Sequence, residues 1–118
     1  MAKNPKIKIE GPKAQDFIKS LGLLPKGNVQ TFIDIEMVRL ADPYVPSDIK
    51  SLRKSVFLNT DFGSGEIVYT GYYENMYEDT SKQWQGRPKR GARWVHRMLD
   101  NGGREKIMLG VKRLLARG

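Results

Sequence analysis

The sequence predicts an α+β domain in which a small antiparallel sheet, a hairpin plus an N-terminal strand, packs against several helices. Three observations carry this. Ile7 and Ile9 alternate with Lys6, Lys8 and Glu10, as in a half-buried strand. Two apolar stripes recur at three-and-four spacing, one from Val29 to Leu40 and one from Ile107 to Leu115. Between them, Val56-Phe57-Leu58 and Ile67-Val68-Tyr69-Thr70 flank the turn residues Asp61-Phe62-Gly63-Ser64-Gly65.

In chain order, the strand at Ile7–Ile9 stops at Gly11-Pro12, and Pro12 can open a helix whose face is Phe17, Ile18 and Leu21. Gly22 ends that helix, and Leu23 to Gly27 connects it to the next. Asn28 is placed to accept the free amides of a helix bearing Val29, Phe32, Ile33, Glu36, Met37 and Leu40 on one stripe. Ile35 and Val38 widen its apolar surface, so this is the expected central helix, packed on more than one side, and Pro43 ends it.

Ser47 or Asp48 can cap a short helix carrying Ile49 and Leu52. The two runs at 56–58 and 67–70 are expected to form a hairpin, which needs further support because two strands alone are marginal in water; Ile7 to Ile9 could supply a third strand. Tyr72, Tyr73, Met76 and Tyr77 have helical spacing. A mobile basic loop is expected at 79–91, since it is polar, rich in Gly, Pro, Lys and Arg, and without periodicity beyond Trp84. Trp94, Val95, Met98 and Leu99 then fit a helix ended by Asn101-Gly102-Gly103, followed by the last amphipathic helix.

At 118 residues the chain is expected to be a single domain, 1–118, able to bury one core. It has no Cys, which excludes disulfides and thiolate metal sites. No segment approaches the roughly 20 apolar residues of a membrane span, and the N-terminus lacks the apolar stretch of a signal peptide, so a soluble protein made in the cytoplasm is expected, without membrane partners. Charge is segregated. Residues 1–80 hold ten Lys/Arg and eleven Asp/Glu, net −1, whereas residues 81–118 hold eleven and two, net +9. Such a field favours an acidic partner, whether nucleic acid, a membrane surface or another protein surface.

Catalytic chemistry finds little support. The single His96 stands among Arg93, Trp94 and Arg97 with no Cys or recognisable nucleophile motif beside it, and no catalytic residue, cofactor or metal site is assigned. Glu74, Glu78 and Asp79 could hold a hard cation, but calcium-loop spacing is absent and exposed acids are the simpler reading. Gly63-Ser64-Gly65 lacks the pattern of a phosphate loop and reads as a turn. The best candidate binding group is Arg87, Lys89, Arg90 and Arg93, with Trp84 and Trp94 on either side. Arginine pairs with phosphates and carboxylates and tryptophan stacks on bases, yet both also suit protein interfaces, so a DNA-facing and an assembly role stay open. Of the tyrosines, Tyr69 and Tyr73 are expected in the core, with Tyr72 and Tyr77 open between core and assembly surface. The last helix, with Lys112, Arg113 and Arg117 opposite its apolar face, could lie on a membrane, but packing within its own domain is the simpler expectation.

From Pro43 onward, four blocks resemble the minor capsid and tail-completion proteins of long-tailed bacteriophages. These are Pro43-Tyr44-Val45-Pro46-Ser47-Asp48 followed by Leu52-Arg53-Lys54-Ser55-Val56, then Gly65-Glu66-Ile67-Val68-Tyr69, then Tyr72-Tyr73-Glu74-Asn75-Met76-Tyr77-Glu78, and Gly91-Ala92-Arg93-Trp94. They span about half the chain. Ile49-Lys50 and Gly71 depart from that pattern, where a small residue with Gly, and a Pro, are common in the family. The resemblance implies a non-enzymatic structural virion protein of the neck, assembled in the host bacterial cytoplasm. It would form a homo-oligomeric ring around the DNA channel and dock on other phage neck and tail proteins, with non-specific contact to passing DNA. A head-to-tail ring suggests that Glu74, Glu78 and Asp79 of one copy face Arg87, Lys89, Arg90 or Arg93 of the next. The alternative is a small basic nucleic-acid-binding module using the last third.

Overall fold

The computed structural model describes residues 5–16, 29–46, 50–81 and 89–117. The expected helix at Phe17 to Leu21 with its connector, the caps Asn28, Ser47 and Asp48, and Trp84 and Arg87 lie outside the described residues.

The chain is an α+β domain. Strand β1 (Lys6–Glu10) leads to a helical turn at 14–16, and helix α1 (Val29–Ala41) runs into a 3-10 turn, Asp42–Tyr44. Helix α2 (Lys50–Asn59) precedes strand β2 (Glu66–Thr70), a 3-10 turn at Met76–Glu78, helix α3 (Trp94–Met98), a kinked bridge Leu99–Gly103 and helix α4 (Arg104–Arg117). β1 and β2 pair antiparallel, with Ile7 opposite Tyr69 and Ile9 opposite Ile67.

The expected hairpin is corrected here. Val56-Phe57-Leu58 belongs to α2, so the strand beside β2 is β1, and the Asp61–Gly65 turn joins a helix to a strand. Leu52 and Val56 stand four apart and are both buried, which sets a helical stripe against β2 and turns Phe57 and Leu58 outward. The α2 side also covers the free edge of β2. The amide of Val68 donates to Oγ1 of Thr60 at 2.9 Å and that of Thr70 to Oγ of Ser55 at 2.8 Å. Hydroxyls thus take the place of a third strand, as unpaired edge amides require.

Helix α1 is central, as its pattern predicts, with Ile33, Met37 and Ala41 fully enclosed. Its Val38 is buried but Ile35 is 49% exposed, so the second apolar side is only partly covered. Asp34 is buried on the same helix. Its Oδ2 accepts the amides of Gly63 at 2.7 Å and Gly65 at 3.0 Å, while Oδ1 accepts Nε2 of Gln30 at 2.9 Å. Gly63 and Gly65 both have positive φ, 109° and 85°, so the turn needs glycine where the carboxylate grips it. Gln30 in turn accepts the amide of Ala14 at 2.7 Å and donates to the carbonyl of Pro12 at 3.1 Å, tying the start of the chain to α1.

The core continues into α3 and α4 through Trp94, Val95, Ile107 and Val111. Trp94 meets Tyr69 and Tyr77 edge-on, with ring centroids 5.3 and 4.6 Å apart. Tyr69 and Tyr77 are buried, Tyr73 packs partly against the core and Tyr72 is exposed. The helical spacing of 72–77 yields only the turn Met76–Glu78, because Asn75 takes a left-handed conformation at φ 62° and interrupts it. Asn101 and Gly102 break the helix before α4, as the sequence predicts.

Candidate functional site

Lys89, Arg90 and Arg97 gather around Tyr44 and the turn that holds it. Nη1 of Arg90 donates to the carbonyls of Asp42 at 3.0 Å and Val45 at 2.6 Å, and the amide of Gly91 donates to the carbonyl of Tyr44 at 3.0 Å. These bonds engage carbonyls of the turn that follows α1, of which that of Asp42 also accepts the amide of Val45 at 3.2 Å. Lys89 and Arg97 both approach the Tyr44 ring, at 5.3 and 5.5 Å from its centroid, and Nδ2 of Asn101 donates to the Tyr44 hydroxyl at 2.8 Å. Nε of Arg97 also donates to the carbonyl of Ala92 at 2.7 Å. Much of the basic cluster is therefore spent in fastening the segment entering α3 to the turn that leaves α1.

The acidic candidates are placed as follows. Glu78 accepts Nη1 of Arg93 at 2.7 Å within the same chain. Asp79 accepts the Tyr73 hydroxyl at 2.7 Å and the amide of Ser81 at 2.9 Å. Removal from water, reinforced by the Asp79 carboxylate, pushes the Tyr73 phenol up to about 12. Glu74 is exposed and has no hydrogen bond or ion pair among the described residues. The structure thus brings Glu78 to Arg93 within one chain, while Asp79 is engaged by Tyr73 and Ser81.

His96 has a structural setting. The Tyr77 oxygen accepts the amides of Val95 at 3.1 Å and His96 at 3.0 Å, and lies 2.7 Å from Nδ1 of His96. With two amides donating to that oxygen, the phenolic proton points to Nδ1, which places the imidazole proton on Nε2. The hydroxyl satisfies open amides at the start of α3, a task that Arg93, at φ 52°, does not perform with its side chain. Burial is the main reason the Tyr77 phenol is pushed up to about 12.

A second surface was not singled out by the sequence. Between α1 and α2 lies an open apolar groove of about 720 Å³, lined by Ile35, Val38, Phe57 and Phe62. Ile35 is 49% and Phe57 63% exposed. Its charged rim is satisfied within the chain. Nε of Arg39 donates to Glu36 at 2.7 Å, and Nε of Arg53 donates to Asp42 at 3.0 Å. The Arg39 hydrogen bond holds the Glu36 carboxyl below its ordinary range. The signal that could have found it was the pairing of Leu52 with Val56, which assigns α2 its buried stripe and leaves Phe57 off it.

Among the described residues no helix is long and apolar enough to cross a membrane. No family model, no curated protein and no solved structure matches the chain.

Proposed function

We propose that this chain is a structural virion protein of the neck of a long-tailed bacteriophage, joining head to tail by ring assembly and by docking on neighbouring neck proteins around the DNA channel. The observation that carries the mode of action is the α1/α2 groove. Large apolar side chains stand in water beside a rim whose ion pairs are already made, a surface suited to an apolar protein partner rather than to phosphate or a small charged substrate. The order of the four sequence blocks from Pro43 to Trp94 supports the place in the particle. Copies associate head-to-tail, and a heterologous contact that closes after a whole number of steps gives a ring.

A second reading, a small basic nucleic-acid-binding module, is favoured by Lys106, Lys112 and Arg113, which are exposed along α4. Light scattering on a sizing column, across concentration and salt and with or without duplex DNA, separates the two. The neck reading expects a closed assembly of more than two copies without DNA, lost in F57D. A monomer that binds DNA at low salt and releases it steeply as salt rises supports the module instead.

A further inference from the structure

We propose that the groove between α2 and the ends of the two strands is a nucleotide site, which takes a phosphate on Lys6 and Lys54 and rests the attached base on Tyr72. The groove has a volume of about 500 Å³, and its walls include Lys6 of β1, Ser51, Lys54 and Leu58 of α2, Thr70 of β2 and Tyr72.

Its charge selects an anion. Two ammonium groups line it and, among the described residues, no carboxylate does. Nζ of Lys6 donates to Oδ1 of Asn59 at 2.8 Å and to Oγ1 of Thr70 at 3.2 Å. These neutral oxygens orient the ammonium without cancelling its charge, and its third N–H is left for a ligand. Oγ1 of Thr70 also accepts Nδ2 of Asn59 at 2.8 Å. Both contacts donate to that oxygen, so its own proton is turned to a further acceptor, which is absent among the described residues. Lys54 is exposed and has no hydrogen bond or ion pair among the described residues.

The neighbours of the lysines decide which anion. Leu58 is 87% exposed and Tyr72 40%, and the Tyr72 hydroxyl is hydrogen-bonded to that of Ser51, which holds the ring in place. A held aromatic ring beside two cations suits a base and its phosphate together. Inorganic phosphate leaves Leu58 and Tyr72 in water, and an acidic side chain has no flat face to lay on the ring. A free nucleotide and a single strand both present this chemistry. The site shares no residue with the groove beside α1 or with α4, so ring assembly can fail and this site stand.

The test is fluorescence anisotropy of a short labelled oligothymidylate titrated with the full chain across salt. The wild type is expected to bind at low salt and to weaken with a log–log slope of about 1.4, from two phosphate contacts at about 0.7 each. K6M and K54M keep the aliphatic stems, and each is expected to bind about tenfold more weakly and to lower the slope by about 0.7. Y72A is expected to lose about tenfold with the slope unchanged, while Y72F, which keeps the ring, stays within about twofold. K8M and K112M, at exposed positions outside the groove, are expected to bind as the wild type does, and circular dichroism to be unchanged in every variant. Displacement by thymidine monophosphate marks a site for the free nucleotide, and displacement by a second strand alone marks one for nucleic acid; either supports the proposal. No binding by the wild type, a loss in K8M or K112M as large as in K54M, or no loss in Y72A overturns it. So does displacement by inorganic phosphate or an oligoglutamate as effective as by nucleotide or strand, which would mean that charge alone fills the groove.

Discussion

Arg93 and Glu78 form a 2.7 Å ion pair inside one chain, linking the residue before α3 to the turn Met76–Glu78. Both side chains are about half exposed, so the pair holds the segment in place more than it stabilises the fold. It also occupies the arginine and the carboxylate that a contact between copies would otherwise use.

E78Q should therefore lower the melting temperature only slightly and leave the assembled mass unchanged at low and moderate salt. Light scattering beside a thermal melt checks both. Loss of assembly in E78Q, with the fold intact, would mean that Glu78 exchanges partners when copies meet.

A larger effect is expected at Asp34. D34A leaves the amides of Gly63 and Gly65 and one donor of Gln30 without their acceptor, at a site enclosed by α1 and the turn. Of these donors the Gly65 amide is buried, while Gly63 is exposed and Gln30 half-buried; an orphaned buried donor costs about 1–3 kcal/mol, so a loss of about 2 kcal/mol is expected in a urea titration. A loss below about 1 kcal/mol would show that water replaces the carboxylate and that the turn does not depend on it.

Much of this fold was legible in the sequence, and its misreadings have definite causes. Ile7 and Ile9 announced β1 by alternation, and the stripes of α1 and α4 were long enough for their period to be plain. Val56-Phe57-Leu58 was too short a run for period alone to decide. Its β-branched and aromatic residues favour a strand, and only the contact of Leu52 and Val56 with β2 makes it helical. The candidate site was less legible. Arg87 lies outside the described residues, while Arg90 is held by backbone carbonyls and Arg97 by a carbonyl and the Tyr44 ring, partners that leave no mark in composition or spacing.

Alkaline unfolding should begin near the ordinary tyrosine range. Tyr73 and Tyr77 are pushed up to about 12, chiefly by removal from water, and burial raises Tyr69 as well. A phenol raised in the folded state binds its proton more tightly there than in the unfolded chain. Its contribution is complete below about pH 10 and is lost as pH rises through about 12. Tyrosinate absorbance followed together with circular dichroism should show these phenols ionising with unfolding. Ionisation of all tyrosines at pH 10 with the ellipticity unchanged would contradict the burial of Tyr69 and Tyr77.

The two glycines of the bridge before α4 separate backbone strain from steric exclusion. Gly102 has φ 95° and open space where a Cβ would stand, so G102A meets only the cost of a left-handed alanine, about 1 kcal/mol. At Gly103 a Cβ would lie 2.1 Å from Sδ of Met98 and 2.6 Å from its carbonyl oxygen. Sulfur can move aside but the backbone oxygen cannot without unwinding the end of α3, and Gly103 is itself buried. G103A should therefore cost more, about 2–3 kcal/mol, and should loosen α3 against α4. Urea titrations of the two variants check the order. Equal losses would mean that the bridge yields at position 103, and that the close packing of Met98 on Gly103 does not set the angle between the helices.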